Sequence, residues 1–260
     1  MRLWTPGRAY SALRDQLGSL RGVYLAGNRV VRRSDFRHHS DNVLLLHGFF
    51  QTRSIWNTME DRLRFDGYGV VSFDLGGLMS RFNTQPLDDL AAHVADKVES
   101  LAQRHGVESL HIVGHSKGGL LARRYVQQFG GAARVRSVIT LGTPHHGTPT
   151  AALAVAMGVF LRNSSSWDLL PNSRIIRRLN EESWPAGIPL TSIYSRGDLV
   201  CPYWCAQLRD DSDPQFTNIE VERTGHSELA WDSAVYRHVL EQLRAHPIAS
   251  RTEDAAHGQP

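Results

Sequence analysis

The sequence predicts an α/β domain built on a mostly parallel central sheet, and three observations predict it. From Asn42 onward, short unbroken apolar runs alternate with amphipathic helical patterns, and a strand buried on both faces by crossover helices reads as such a run. A glycine-flanked serine, Gly114-His115-Ser116-Lys117-Gly118, stands where one of these runs passes into a helical pattern. The 260 residues, 41% of them hydrophobic, suffice for one sizeable core and exclude the disordered and fibrous classes.

The elements follow in chain order. Residues 1–41 are a basic segment with a helical pattern through Tyr10, Leu13, Leu17, Leu20 and Tyr24. Packing against the domain that follows is the favoured reading, because Gly18 and Gly22 break a narrow stripe; contact with a membrane or lipid interface is the alternative. Val43 to Leu46 predicts the first buried strand, ending at His47-Gly48-Phe49. Ser54 to Phe65 reads as a helix, Val70 to Asp74 as a strand, Leu87 to Gln103 as a long helix, and Ser109 to Val113 as the strand that feeds Ser116. Leu120, Leu121, Tyr125, Val126 and Phe129 then recur at helical spacing until Gly130-Gly131 stops the helix. Arg136 to Leu141 and Thr191 to Tyr194 are further strands, Ile219 to Glu222 alternates like a strand nearer an edge, and Glu228 to Leu243 is a closing helix.

The main domain is thus expected over 42–245, with a polar tail over 246–260. One stretch, 148–189, breaks the rhythm and predicts an inserted helical cap or lid. Its Ala151 to Leu161 run is nearly all apolar and too short to span a bilayer, so it must be buried or cover an apolar surface.

The net charge of +3 and pI near 9.1 come almost wholly from arginine, Lys97 and Lys117 being the only lysines. The arginines are spread among the acids without aromatic interleaving, so no nucleic-acid partner is expected. Cys201 and Cys205 lack a further Cys or His pair and are read as free, partly buried thiols; no metal or other cofactor is expected. With no membrane span and no apolar leader recognised, the expected compartment is the cytoplasm.

The chemistry starts from Ser116. A serine hydroxyl is a poor nucleophile until a base takes its proton, and the base needs an acid to orient it. His226 follows the last strand pattern and precedes the final helix, where the base belongs in the order Ser, acid, His. Asp198, just past the strand at Thr191 to Tyr194, is the preferred acid; Asp210, Asp211 and Asp213 lie in a polar run that reads as a solvated turn. The oxyanion formed on attack needs two preorganised donors. The backbone N–H of Lys117 offers one, and Gly48 lets the chain turn so that the N–H of Phe49 offers the other. His145 and His146 precede any acid in chain order and are read as structural.

These residues carry a resemblance. Leu44 to Phe49 (LLLHGF), Val113 to Gly119 (VGHSKGG), Leu141 to Thr148 (LGTPHHGT), Tyr194 to Pro202 (YSRGDLVCP) and Gly225 to Leu229 (GHSEL) resemble, in order, the serine lipases and esterases of the α/β-hydrolase fold. LGTPHHGT is similar to a segment of bacterial triacylglycerol lipases, and Asp168 to Asn180 looks like their lid region. The resemblance implies Ser116, Asp198 and His226 as a triad with the N–H groups of Phe49 and Lys117 as the oxyanion hole. It also implies hydrolysis of a carboxylic ester through an acyl-enzyme. The apolar cap run Ala151 to Leu161 would supply the wall of an acyl pocket, with Phe50, Met157, Phe160 and Leu161 as the pocket's candidate residues, so a medium- or long-chain ester or lipid is the expected substrate. Acyl transfer, or thioester or amide cleavage, by the same triad is the alternative, and a silent lipid-binding scaffold the outsider. One departure is Lys117, since the residue after the serine is more often Met, Gln or Leu in such lipases; a buried stem with the ammonium reaching solvent is the favoured reading, and added positive charge near the nucleophile the alternative.

Overall fold

The strand that carries the serine motif lies at the middle of a six-stranded sheet in the computed structural model, which describes residues 35–76, 83–152, 165–209 and 213–248. The strands are β1 (Asn42–Leu46), β2 (Gly69–Ser72), β3 (Leu110–His115), β4 (Val135–Leu141), β5 (Leu190–Ser195) and β6 (Phe216–Val221). All neighbours pair in parallel, in the order β2-β1-β3-β4-β5-β6. The helices are α1 (Asn57–Phe65), α2 (Leu87–His105), α3 (Lys117–Gln128), α4 (Arg174–Glu181), the single turn α5 (Tyr203–Ala206) and α6 (Ser233–Ala245).

Alternation along each strand divides the core in two. Leu44 and Leu46 of β1 and Ile112 of β3 face α2 and α3, meeting Leu90, Val94, Leu120 and Leu121. Val43 and Leu45 of β1, Val113 of β3 and Ile139 of β4 face the other way, onto Met59 and Leu63 of α1 and Val235 and Val239 of α6. Both faces of the sheet are therefore covered, and the parallel ladder is sealed from water. β6 closes the row as an edge strand with partly exposed side chains, as its alternating pattern predicts.

Every strand expected from the sequence is present, with ends displaced by a few residues. β3 runs on to His115, so it delivers its last residue directly to Ser116. The expected closing helix is divided into a 3-10 turn (Glu228–Ala230) and α6, because the Asp232 carboxylate caps the N–H groups of Ala234 and Val235 and starts a new helix there. Ser173 caps α4 in the same way by accepting from Ile176. Within the stretch read as an insertion, α4 contributes Ile175, Ile176 and Leu179 to the core beside α3. The N-terminal helical pattern before residue 35, the apolar run from Leu153 to Leu161 and the tail beyond Ile248 lie outside the described residues. Among the described residues no helix is long and apolar enough to cross a membrane.

Candidate active site

Ser116 occupies the turn between β3 and α3 with φ 54° and ψ −121°, a conformation that residues with a side chain rarely adopt and that persists only when the surroundings impose it. The surroundings do so by closeness. A Cβ on Gly118 would stand 2.0 Å from the carbonyl oxygen of Leu46, and one on Gly114 would stand 2.6 Å from that of Gly118. A Cβ on Gly119 would meet the Thr143 hydroxyl at 2.0 Å. The glycines of the motif let β3, the first turn of α3 and the end of β1 touch backbone to backbone. Ser116 N–H donates to Leu141 O at 2.9 Å, and its carbonyl accepts from Gly119 N–H and the Thr143 hydroxyl, both at 3.0 Å.

The base and acid come from the loops after β6 and β5. The Ser195 hydroxyl oxygen accepts from Gly197 N–H and Thr224 N–H, both at 3.0 Å, which ties the two loops together. Asp198 is buried. Its Oδ1 accepts from the N–H groups of Val200 and Cys201 at 2.9 and 2.8 Å, and its Oδ2 lies 2.7 Å from His226 Nδ1. An ionised carboxylate only accepts, so the proton between them sits on Nδ1 and Nε2 is left as the basic nitrogen. Gly142, at φ 53°, passes beneath this pair, and a Cβ there would lie 2.9 Å from Asp198 Oδ2 and 3.3 Å from His226 Nδ1.

His115 links the two groups of loops. Its Nε2 lies 2.8 Å from His226 O, its ring 4.7 Å from the His226 ring, and its Nδ1 2.9 Å from Gln51 Oε1. Burial, with His226 beside it, holds its pKa well below the usual 6.5. Neither His115 nor Gln51 is singled out by the sequence reading. The signal available was position: the last residue of a strand that ends at the nucleophile necessarily packs beside whatever the neighbouring strands bring there.

On the other side of Ser116 lies the loop after β1. Gly48 N–H donates to Gln51 Oε1 at 2.9 Å, and a Cβ on Gly48 would stand 3.0 Å from Ser116 Cβ. His47 is buried with its pKa lowered to about 4 by desolvation. Its Nε2 accepts from Leu75 N–H at 3.1 Å, which leaves Nδ1 to donate to Gly48 O at 3.2 Å. Phe49 and Phe50 follow, their rings edge to face at 4.6 Å, with Phe50 at φ 52°. Lys117 heads α3, so its N–H points from the N-terminal end of the helix.

The side chain of Lys117 corrects the sequence reading. It does not reach solvent: the residue is fully buried and Nζ donates to Asn83 O at 3.0 Å and Gln85 O at 2.6 Å. Desolvation lowers its pKa to about 7. The expectation failed because α2 and the loop before it close over the first turn of α3 and leave the stem no path outward.

Of the remaining expected residues, Met157, Phe160 and Leu161 lie outside the described residues, as do Asp210 and Asp211. Asp213 Oδ1 accepts from Gln215 N–H at 2.9 Å in a local turn. His145 is buried between Thr140 and Arg123, and His146 meets Gln207 O at 3.0 Å, both in structural positions. Cys201 and Cys205 are free thiols, both buried. Glu228 accepts from Gly225 N–H at 2.8 Å, and Asp232 is the cap of α6. Among the described residues no group of three or more His, Cys, Asp and Glu side chains converges to hold a metal ion.

Comparison with known proteins agrees with this geometry at the level of fold. A family model described as the alpha/beta hydrolase fold matches residues 41–165. Methylesterase 10 of Arabidopsis thaliana is 27% identical over 119 residues, covering 45% of this chain and 42% of that protein. The chain spans under half the length of the curated relatives it matches. Among solved structures, the mature lipase BlEst2 of Bacillus licheniformis superposes with a TM-score of 0.63 at 19% identity, covering 78% of this chain and 91% of the lipase. The monoacylglycerol lipase of Paleococcus ferrophilus superposes with a TM-score of 0.58 at 18% identity, covering 79% and 95% of the two chains.

Proposed function

This chain has the α/β-hydrolase fold, and from that premise we propose that it is a serine hydrolase that cleaves carboxylic esters through an acyl-enzyme on Ser116. One observation carries the proposal: a serine in a strained backbone conformation at the strand-to-helix turn, preceded by His115, whose ring lies 4.7 Å from that of a buried histidine with its Nδ1 2.7 Å from a buried carboxylate. A nucleophile needs an adjacent oriented base, and the base needs an acid that fixes its tautomer. In this reading His226 Nε2 takes the Ser116 proton as Oγ attacks the ester carbonyl, and the imidazolium so formed is stabilised by Asp198. The N–H groups of Phe49 and Lys117 receive the oxyanion. His226 then protonates the leaving alcohol, and the same nitrogen activates water to release the acid.

The substrate class is inferred as a medium- or long-chain acyl ester or a lipid. Support comes from the apolar composition of Ala151 to Leu161, which suits the wall of an acyl pocket, together with the lipase and esterase names among the similar proteins. The test is hydrolysis of 4-nitrophenyl esters from acetate to palmitate, beside Ser116→Ala. A serine-dependent rate that rises with chain length is expected. Activity confined to acetate would remove the long-chain part, and turnover that survives Ser116→Ala would remove the mechanism.

A further inference from the structure

Lys117 buries an amine where an apolar side chain of similar length would fill the space without desolvating a polar group. Its surroundings indicate what the amine does. Nζ donates to two carbonyls of the loop that leads into α2, those of Asn83 and Gln85, at 3.0 and 2.6 Å. It also stands 5.7 Å from the centre of the Phe49 ring, within reach of a cation–π contact. Asn83 in turn is buried at φ 50°, held by its own N–H to Gly76 O at 2.7 Å, and its Nδ2 donates to His47 O at 2.7 Å. From the far side, Asp168, in the 3-10 turn before α4, adds a carboxylate that favours the charged amine and accepts from Leu87 N–H at 3.0 Å at the start of α2.

These contacts converge on one peptide. The orientation of the Phe49 N–H is set by the plane of the Gly48–Phe49 peptide, whose carbonyl accepts from His47 Nδ1 at 3.2 Å and from Gln51 N–H at 3.3 Å, so the plane is only as well placed as the residues on either side of the flexible Gly48. Lys117 holds the upstream side through Asn83 and the His47 carbonyl, and the downstream side through the Phe49 ring. We propose that the Lys117 side chain is a positioning residue for the second oxyanion donor, so that a single residue governs both halves of the oxyanion hole: one by its own N–H, the other by aiming Phe49. The inference rests on the serine-hydrolase reading. It goes beyond that reading by giving the departure from the usual residue at this place a task in the transition state rather than in the stability of the fold.

The test compares the wild type with Lys117→Met and Asn83→Gly, the latter chosen because glycine keeps the positive φ while deleting the amide. Active sites are counted by stoichiometric labelling with a fluorophosphonate, and kcat and KM are measured on 4-nitrophenyl butyrate. Removal of one oxyanion donor costs about 10²- to 10³-fold in kcat, so a misaimed donor should lower kcat per titrated site by about 10-fold to 10²-fold with KM within about threefold. Asn83→Gly should show the same split, and the double variant should be no worse than the poorer single one, because both act through one peptide. An unchanged kcat per titrated site in Lys117→Met, or full additivity of the two, would overturn the proposal even if both variants melt earlier. Failure of the underlying reading looks different: the wild type would not be labelled at Ser116, and Ser116→Ala would match it.

Discussion

Around Ser116 the chain is fixed by approaches so close that a methyl group would violate them, whereas around His226 it is fixed by hydrogen bonds whose direction a change of one atom would reverse. On the nucleophile side the decisive distances are those that a side chain on Gly114, Gly118 or Gly119 would meet, 2.0 to 2.6 Å. On the base side they are donor–acceptor distances, 2.7 to 3.0 Å, running through Ser195, Asp198 and His226. Steric fixation holds a backbone in a strained shape but carries no information about protons. Hydrogen bonding selects a tautomer but tolerates small shifts. The difference teaches that the two arms should fail in different ways, one as a fold and the other as a catalyst.

The largest effect that separates them is expected from Asp198→Asn. The amide retains an acceptor for Val200 and Cys201 N–H, but the group facing His226 Nδ1 becomes a donor, so the imidazole is driven to the tautomer that cannot accept the serine proton. The expected result is a fall in kcat of about 10⁴-fold with the melting temperature almost unchanged. A variant that keeps a tenth of the activity would mean that the tautomer is fixed by some other group. Gly118→Ala should do the reverse. Its Cβ would sit 2.0 Å from the Leu46 carbonyl at the end of β1, so the end of β1 and the first turn of α3 must part. A loss of about 3 kcal/mol or more, read by chemical denaturation, is expected. A fully stable Gly118→Ala would show that the turn relaxes and that closeness does not hold Ser116.

What could be read from the sequence divides along the same line. The apolar runs of β1 and β3, the helical spacing of α3 and the glycines of the motif are local features, so the sheet, its coverage by helices and the turn at Ser116 were all legible. The order of Ser116, Asp198 and His226 along the chain was legible as well, since parallel strands bring their C-terminal loops to one edge. What was not legible depends on which distant segments meet. His115 touches His226 across 111 residues and Gln51 across 64, and the buried end of Lys117 depends on a loop 32 to 34 residues earlier. Surface habit alone sends a lysine outward, and only the packed loop of Asn83 to Gln85 reverses that. The break of the last helix at Asp232 was written in the sequence as an N-cap residue, but a continuous apolar stripe hid it.

A smaller effect sharpens the comparison by adding charge to both arms through pH. His47 and His111 have pKa values lowered to about 4, and His115 and His145 lie well below 6.5, in each case chiefly through burial. The unfolded chain titrates these groups near 6.5, so between pH 6.5 and 4 it binds more protons than the folded chain does. Stability then rises with pH in that window and is lost as pH falls through it. At full effect His47 or His111 contributes about 3 kcal/mol across the window. Melting followed from pH 7 to pH 5 should show a fall of about 10 °C or more, given about 2 to 4 °C per kcal/mol for a domain of this size. His111→Phe isolates one of these protons away from the chemistry. His111 sits within β3, with Nδ1 2.8 Å from the Ser137 hydroxyl and Nε2 buried without a partner. The variant should therefore flatten the pH dependence of melting by about one proton while leaving kcat at pH 8 within about twofold. A melting temperature that stays level from pH 7 to pH 5 in the wild type would mean that the buried histidines take up protons in the folded chain as they do in the unfolded one, and below about pH 6.5 the imidazole of His115 would then face His226 as a cation. The base arm would in that case be set by charge rather than by hydrogen-bond direction, and the contrast between the two arms would have to be drawn again from His115 outward.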